Sequence, residues 1–250
     1  YTKKIIFIMN WYANWFNSHY YHILYNNRDE KEAEFFIDNL IKRLNLVTPS
    51  KLIDIACGKG RHATYFNTKG FDVTGVDLSQ NSIEHAIRQS IKKNNLSFKV
   101  HDMRELYKAN HFDVATNLFT SFGYFEDETD EQKAINSISQ SLKANGLLII
   151  DFMNVNKVVD NLVVKEQKII QSITFNIKRK VEDHYIIKDI EILDSNKKYE
   201  FQEKVKALNL DRFTTFVNEA GLKIIDIFGN YSLDRFDIKK SNRLILICKK

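Results

Sequence analysis

Hydrophobic and polar positions follow two different periods along this chain. Residues 30–44 have apolar side chains at helical spacing and predict an amphipathic helix. After a break at Pro49, residues 51–57 form a short apolar run that is typical of a buried strand. The same strand signal returns at residues 73–78, 96–101, 112–119 and 146–152.

Helical patterns occupy the stretches between these predicted strands. One helix spans residues 61–68 and ends before Gly70, a residue suited to the left-handed backbone that follows a helix. A second helix begins at Ser79 or Asn81, since either side chain can cap its first turn, and a third covers residues 128–143. Strands that alternate with helices predict a doubly wound α/β sheet.

The second half of the chain departs from this alternation. Residues 168–207 alternate polar and apolar positions and predict an antiparallel β-meander with one solvated face. Its three extended segments are Ile169–Val181, His184–Leu193 and Lys198–Leu208. A helix over 211–220 and two strands, 222–228 and 244–248, follow. The expected organisation is a single domain over 1–250, an N-terminal helical cap at 9–45 and an inserted meander lid at 155–208.

The composition is that of a soluble globular protein with scattered charge. Lys and Arg number 37 against 32 Asp and Glu, and the net charge of +5 is spread along the chain, which disfavours nucleic acid as a partner. The two cysteines, Cys57 and Cys248, lie in apolar runs and are expected to be buried and reduced. No apolar run is long enough to cross a membrane, so a cytoplasmic localisation is expected. Residues 1–8 carry no cap, turn or motif, and we expect them to be dispensable.

One strand–loop–helix unit carries the candidate chemistry. Asp54 lies in its strand, and the loop after it contains Gly58 and Gly60. Two glycines let the backbone approach a ligand closely and then turn into a helix. Asp77 follows 17 residues after Gly60, at the end of the next strand, where a carboxylate can accept hydrogen bonds from both hydroxyls of a ribose. The unit therefore predicts a nucleoside-containing ligand.

Two kinds of nucleoside cofactor fit such a unit. A nicotinamide-dependent oxidoreductase has a third glycine where this chain has Ala63, although its fingerprint tolerates alanine there. Asp54 argues against a dinucleotide, because an extra carboxylate near the helix N-terminus repels a bisphosphate. The same carboxylate attracts a positively charged sulfonium cofactor. The sequence favours the sulfonium, and the oxidoreductase remains an alternative.

The motifs around these residues resemble those of the class I S-adenosylmethionine-dependent methyltransferases. Residues 54–62 are similar to the first motif of that family, residues 73–79 to the second and residues 101–103 to the third. Residues 112–119 resemble the fourth motif, and residues 142–148 the turn into the fifth strand. The resemblance implies a seven-stranded Rossmann-like sheet of order 3-2-1-4-5-7-6, with strand 7 antiparallel.

The same resemblance implies S-adenosylmethionine as the cofactor and assigns residues to it. In the family an acidic side chain of the third motif, here Asp102, contacts the adenine amino group. The residues that we expect to bind the cofactor are Asp54, Ala56, Cys57, Gly58, Gly60, Asp77, Leu78, Asp102, Met103, Asn117 and Leu118.

The resemblance does not identify the methyl acceptor, but the absence of certain motifs disfavours some classes of acceptor. No proline follows Asn117, so the Pro-Pro motif of base-amino methyltransferases is missing, as is the paired-glutamate loop of the protein arginine enzymes. Asn117, Asp151 and Asn154 only faintly resemble the metal ligands of catechol enzymes, and no metal is expected. We expect transfer to a nitrogen or oxygen of a small molecule. An RNA acceptor and a non-catalytic S-adenosylmethionine-binding module remain alternatives.

The candidate catalytic residues are His62, Tyr124 and Tyr21, although His62 can equally cap a helix and Tyr124 can belong to the core. An aromatic-rich stretch surrounds Tyr21 near the start of the chain. Its members are Trp11, Tyr12, Trp15, Phe16, Tyr20, Tyr21 and Tyr25. They either pack the cap onto the sheet or, with residues 121–125 and the meander, enclose the acceptor.

Overall fold

The computed structural model describes residues 11–25, 30–91 and 93–250, without the side chains of residues 11–13 and 128. The expected dispensability of residues 1–8 therefore concerns residues outside the described part. The helices are α1 (Trp11–Phe16), α2 (His19–Leu24), α3 (Glu30–Leu44), α4 (Arg61–Thr68), α5 (Gln80–Ser90), α6 (Glu128–Ser141), α7 (Val155–Asp160) and α8 (Leu210–Glu219). The strands are β1 (Lys51–Ile55), β2 (Asp72–Asp77), β3 (Leu96–Val100), β4 (Phe112–Asn117), β5 (Leu142–Met153), β6 (Lys165–Ile170), β7 (Ile173–Glu182), β8 (Tyr185–Asp194), β9 (Lys197–Lys206), β10 (Lys223–Phe228) and β11 (Arg243–Lys249).

Seven strands form one sheet in the order β3-β2-β1-β4-β5-β11-β10. β11 is antiparallel to both of its neighbours, while β1 to β5 pair in parallel. The predicted order 3-2-1-4-5-7-6 with an antiparallel strand 7 is confirmed. The order of strands reverses between β1 and β4, and in such sheets a ligand-binding crevice opens at the carboxyl ends of the strands at that point.

Alternate residues along the central strands enter two separate cores, one on each face of this sheet. In β1, Leu52 packs with residues of α3, α4 and α5, whereas Ile53 packs with residues of α6 and α8. β5 shows the same alternation at Ile149 and Ile150, which are both almost completely buried. Burial on both faces explains why these strands read as continuous apolar runs in the sequence.

The inserted meander forms a second, antiparallel sheet in the order β6-β7-β8-β9. The prediction of three extended segments is wrong, because residues 169–181 are interrupted by a tight turn at Gln171 and Ser172. Both turn residues have left-handed backbone, with φ of 50° and 65°. Two consecutive left-handed residues give the hairpin turn whose twist suits antiparallel strands. The short helix α7 before the meander was also not predicted.

The N-terminal helices α1 and α2 pack on this second sheet, whereas α3 packs on the seven-stranded sheet. Trp15 of α1 is fully buried and donates its indole N–H to Glu203 Oε1 of β9 at 2.6 Å. Glu203 also accepts from the Tyr25 hydroxyl at 2.7 Å and from Lys188 Nζ at 2.8 Å. The predicted helical cap thus consists of two parts that rest on different sheets.

Candidate functional site

A cavity of about 850 Å³ lies at the carboxyl ends of β1, β2 and β4, at the crevice where the strand order reverses. The glycine loop, the end of β2, the loop after β3 and the loop after β4 line it, together with aromatic residues of α1 and α2. The residues expected to bind a cofactor that line this cavity are Ala56, Cys57, Gly58, Gly60, Asp77, Leu78, Asp102, Met103 and Leu118.

The loop between β1 and α4 has left-handed backbone at Ala56, Gly58 and Gly60, with φ of 56°, 55° and 82°. A Cβ at Gly60 would lie 2.5 Å from the Phe98 ring, so a side chain there must displace a core residue. A Cβ at Gly58 would meet no atom within 4 Å, and Gly58 lines the cavity. Gly60 therefore allows close packing against Phe98, whereas Gly58 leaves space for a ligand.

Asp77 joins the end of β2 to the glycine loop. Its Oδ2 accepts the backbone N–H of Gly58 at 2.8 Å, and its Oδ1 accepts that of Ser79 at 2.7 Å. Burial raises the pKa of Asp77, and these two backbone N–H groups oppose the shift. A carboxylate can accept about four hydrogen bonds, so two such bonds leave capacity for a ligand in the cavity.

Asp54 lies behind the glycine loop and does not line the cavity. It is 1% exposed, and its Oδ1 accepts the Thr116 hydroxyl at 2.7 Å. Its Oδ2 finds no hydrogen-bond partner among the described residues. Burial raises the pKa of Asp54 to about 7, although the bond from Thr116 lowers it. A buried carboxylate oxygen without a partner is costly, and a cation or a donor that approaches it is stabilised.

Asp102 and Met103 lie beside the end of β3 and face the cavity. Arg104 Nη2 donates to Asp102 Oδ2 at 2.6 Å, and Arg104 Nε donates to Oδ1 at 3.0 Å. Burial alone raises the pKa of Asp102, but the hydrogen bonds from Arg104 outweigh burial and hold the pKa below its usual value. The cavity wall therefore carries an ionised hydrogen-bond acceptor at Asp102.

The chain turns sharply after β4. Asn117 is buried, donates from Nδ2 to the Ile55 carbonyl at 3.2 Å and does not line the cavity, so it ties β4 to β1. Leu118 faces the cavity, followed by Phe119 and Thr120. The last two have φ of 62° and 59°, a region that a β-branched residue such as threonine rarely adopts.

Asp151 and Arg243 hold this strained turn. Asp151 Oδ2 accepts the backbone N–H of Phe119 at 2.9 Å and the Tyr231 hydroxyl at 3.1 Å. Arg243 Nε donates to Asp151 Oδ1 at 2.7 Å, and Arg243 Nη2 donates to Thr120 Oγ1 at 3.0 Å. Strained backbone persists only where its surroundings fix it, and here a buried ion pair does so.

His62 lies in the first turn of α4 and lines the cavity. Its Nε2 is 3.2 Å from Arg61 Nη2. The N-cap of α4 is Gly60, which has no side chain to cap the helix. The interpretation of His62 as a helix cap is therefore wrong.

The other two catalytic candidates, Tyr21 and Tyr124, also line the cavity. The ring of Phe16 lies between them, with centroid distances of 5.0 Å to Tyr21 and 5.2 Å to Tyr124, both edge-on. The Tyr124 hydroxyl donates to the Thr120 carbonyl at 2.8 Å. The rings of Phe16, Tyr21 and Tyr124 together form an aromatic wall of the cavity.

The aromatic residues of the N-terminal stretch lie in two different places. Trp15 belongs to the core under the second sheet, whereas Phe16, Tyr21 and Tyr25 line the cavity. The side chains of Trp11 and Tyr12 lie outside the described part. None of the described residues of the meander lines this cavity, and the expectation that the meander helps to enclose the acceptor stays a prediction. The meander supports α1 and α2 from behind.

Sequence reasoning missed the roles of Arg104, Asp151 and Arg243. Arg104 lies only two residues after Asp102, and an arginine so close to a candidate ligand-binding acid could have been recognised in the sequence. Asp151 and Arg243 are 92 residues apart, and only the antiparallel pairing of β5 with β11 brings them together. Within the described ranges, no three His, Cys, Asp or Glu side chains are grouped so that they could hold a metal ion.

Known proteins share this architecture. Residues 52–146 match the family model of a methyltransferase domain. The structure is similar to an S-adenosylmethionine-dependent methyltransferase from Clostridium acetobutylicum ATCC 824, with a TM-score of 0.78 and 22% identity over 92% of this chain and 95% of that chain. It is also similar to the sugar N-methyltransferase KedS8 from Streptoalloteichus sp ATCC 53650, with a TM-score of 0.70 and 17% identity over 92% of each chain.

A relative by sequence is the glycine/sarcosine N-methyltransferase of Parasynechococcus marenigrum (strain WH8102). The two chains are 32% identical over 139 residues, which cover 54% of this chain and 48% of that enzyme. The chain therefore spans about half the length of this relative.

The sheet order, the glycine loop and Asp77 define the class I methyltransferase fold. With the matched domain at residues 52–146, the chain is an S-adenosylmethionine-dependent methyltransferase of this class. The predicted family, fold and cofactor are confirmed. Among the described helices, none is both long enough and apolar enough to span a membrane.

Proposed function

We propose that the protein transfers the methyl group of S-adenosylmethionine to a nitrogen or oxygen atom of a small molecule held in the cavity. The observation that carries this proposal is a cavity of about 850 Å³ that is lined both by Asp77 and by the aromatic wall. Cavities in this size range typically bury most of a small ligand, and their few polar groups fix its orientation.

The cofactor residues are assigned on the geometry of the cavity edge. Asp77 would accept hydrogen bonds from the two ribose hydroxyls, and Asp102 would accept one from the adenine amino group. The loop from Ala56 to Gly60 would lie along the methionyl part. The apolar side chains of Leu78 and Met103 would contact the adenine ring. Asp54 and Asn117, which do not line the cavity, would act by shaping this loop and the turn after β4.

Two features of the chain itself fit S-adenosylmethionine. The space in front of Gly58 would be filled by a Cβ, so the loop is open where a ligand must approach the backbone. The carboxyl group of Asp54 lies behind that loop, and a positively charged ligand would stabilise its ionised form, whereas a bisphosphate would oppose it. The bound cofactor supplies an electrophilic methyl group on a positively charged sulfur.

The protein has little covalent chemistry to perform in such a reaction. Methyl transfer disperses the charge of the sulfonium, so the chain must align the acceptor, exclude water and accept a proton where the acceptor carries one. The aromatic wall excludes water and orients the acceptor. His62, the imidazole among the three candidates, lines the cavity and would accept the proton.

The enclosure of the cavity supports a small acceptor rather than RNA. Asn17, in the turn between α1 and α2, accepts a hydrogen bond from the Ser79 hydroxyl at 2.5 Å, so the cap reaches across to the end of β2. Aromatic residues of the cap also line the cavity, which favours a small acceptor over a folded nucleic acid. Relatives named as sugar N-methyltransferases and glycine/sarcosine N-methyltransferases also support a small acceptor.

The test is transfer of tritium from methyl-labelled S-adenosylmethionine to three panels: amino sugars, small amino acids and unmodified tRNA. We expect label in a small molecule and none in tRNA. Tyr21→Phe and Tyr124→Phe should reduce turnover while S-adenosylhomocysteine binding is kept, and Tyr185→Phe in the meander is the matched control. Label in tRNA alone would replace this proposal. Cofactor binding without transfer to any acceptor would favour a non-catalytic binding module.

A further inference from the structure

The carboxylate of Asp102 is fixed almost entirely by one residue, Arg104. The Arg104 backbone N–H donates to Oδ1 at 2.9 Å, and the single Nε–H is shared between Oδ1 at 3.0 Å and Oδ2 at 3.1 Å. Arg104 Nη2 donates to Oδ2 at 2.6 Å. These three N–H groups donate to a carboxylate that can accept about four hydrogen bonds, which leaves capacity for one further donor. A guanidinium fork of this kind fixes the plane of a carboxylate as well as its position.

Arg104 is itself held from two further directions. Its Nη1 donates at 2.6 Å to Asp130, a buried residue in the first turn of α6 that also binds Lys133. Its guanidinium lies over the ring of Phe125, 5.2 Å from the centroid, and Phe125 lines the cavity. The fork therefore cannot rotate away from Asp102 without breaking contacts to α6 and to the loop after β4.

The charge of Arg104 matters as much as its geometry. Burial raises the pKa of Asp102, and the bonds from Arg104 reverse that shift. An ionised carboxylate accepts hydrogen bonds and donates none, whereas a protonated carboxyl group can do both. Arg104 thus keeps the cavity wall at Asp102 an acceptor only.

We propose that Arg104 is a positioning residue that makes the cavity selective for a 6-amino purine over a 6-oxo purine. Through Arg104, Asp102 presents a fixed, ionised acceptor that pairs with an amino group and repels a carbonyl oxygen. Without the fork, the Asp102 carboxylate can turn out of the plane in which it faces the amino group, and the preference for that group falls. The inference rests on the proposed contact between Asp102 and adenine.

The test compares calorimetric binding of S-adenosylhomocysteine and S-inosylhomocysteine, which differ at C6, where an oxygen replaces the amino group, and at N1, which carries a proton in the inosyl compound. The wild-type protein should prefer the adenosyl compound by about tenfold or more, the ratio that corresponds to about 1.4 kcal/mol. Arg104→Leu should weaken its binding and bring the ratio close to one, whereas Arg104→Lys, which keeps the charge and loses the fork, should give a ratio between that of Arg104→Leu and the wild type. Lys133→Ala, which removes a neighbouring cation that binds Asp130 but not Asp102, should keep the wild-type ratio.

The variant Asp102→Asn tests the contact between Asp102 and the base separately from the positioning role of Arg104. Because an amide can donate to the inosyl oxygen, this variant should bind the inosyl compound at least as well as the adenosyl one. If the wild-type protein and Asp102→Asn show the same ratio, Asp102 does not contact the base and the proposed cofactor contact is wrong. If Asp102→Asn loses the preference while both Arg104 variants retain it, the positioning role is wrong. Should Arg104→Leu fail to fold, Arg104→Lys, which keeps the charge, decides.

Discussion

Arg243 Nε lies 2.7 Å from Asp151 Oδ1, and the two side chains are 17% and 1% exposed. The pair joins the first residue of β11 to the end of β5. It also reaches the cavity, because both partners bind the turn at Phe119 and Thr120. A contact between two strands of the sheet therefore fixes the shape of the cavity wall.

Replacing Arg243 by methionine should lower the free energy of unfolding by about 3–5 kcal/mol, because Asp151 would remain buried with an uncompensated charge. Urea denaturation measures this change. The matched control is Arg43→Met, which breaks the exposed pair of Arg43 with Asp226 and should cost less than about 1 kcal/mol. Equal losses in the two variants would show that the Asp151 pair contributes no more than a surface contact.

Asp54→Asn should stabilise the protein at alkaline pH and not at acidic pH. Because the folded-state pKa of Asp54 is raised to about 7, the folded protein holds a proton that the unfolded chain releases near pH 4. The wild-type protein therefore loses stability as the pH rises from about 4 to about 7. At pH 8 the variant should be more stable by up to about 4 kcal/mol, and the difference should vanish near pH 4.

Unfolding in urea at pH 4.5, 6 and 8 measures this difference. The exposed residue Glu105 provides the control variant Glu105→Gln. A stability difference that does not grow with pH would mean that Asp54 is ionised in the folded protein across the whole range.

The two loop glycines should respond differently to alanine. Gly60→Ala adds a Cβ that contacts the Phe98 ring and should lower the free energy of unfolding by about 2 kcal/mol or more. Gly58→Ala meets no atom and should cost only about 1 kcal/mol of backbone strain, yet its methyl group enters the cavity. Thermal unfolding and calorimetry with S-adenosylhomocysteine should thus find the larger loss of stability at Gly60 and the larger loss of binding, relative to stability, at Gly58. The reverse order would refute this division of tasks.

Asp77→Asn should weaken S-adenosylhomocysteine binding by about 1–3 kcal/mol, because an amide offers one acceptor oxygen where the carboxylate offers two. Asparagine is a milder change than alanine, because its oxygen can still accept one of the two backbone N–H groups, although its NH2 group then faces the other. Asp77→Ala would also free the backbone N–H groups of Gly58 and Ser79 and loosen the loop. Asp72→Asn, at the start of the same strand, is the control. Unchanged affinity in calorimetry would mean that Asp77 only closes the turn.

The part of the fold that follows the hydrophobic period could be predicted from the sequence. β1, β4 and the second half of β5 are buried on both faces, so their apolar runs were readable locally, as were the caps at Ser79 and Gly70. The hairpin at Gln171 and Ser172 was not readable. Neither residue is among those that favour left-handed backbone, and the pairing of β6 with β7 imposes the turn on them.

The candidate site likewise contains residues that the local sequence reveals and contacts that only the folded chain brings together. Gly58, Gly60 and Asp77 lie at fixed spacing in one strand–loop–helix unit, so local sequence reveals them. The bond of Tyr25 with Glu203 joins residues 178 positions apart and depends on how the N-terminal helices pack on the meander. No local pattern contains that information, so the packing of the meander behind α1 and α2 could not be predicted from the sequence.

The bond between Asn17 and Ser79 has a kinetic consequence. The cap is fastened to the meander at Glu203 and to the end of β2 at Ser79, so these two bonds oppose any movement of the cap away from the cavity. We expect the release of S-adenosylhomocysteine, rather than the methyl-transfer step, to limit the steady-state rate. Asn17→Ala should then shorten the residence time of S-adenosylhomocysteine in stopped-flow displacement and raise the steady-state rate. A faster release that leaves the steady-state rate unchanged would assign the slow step to methyl transfer.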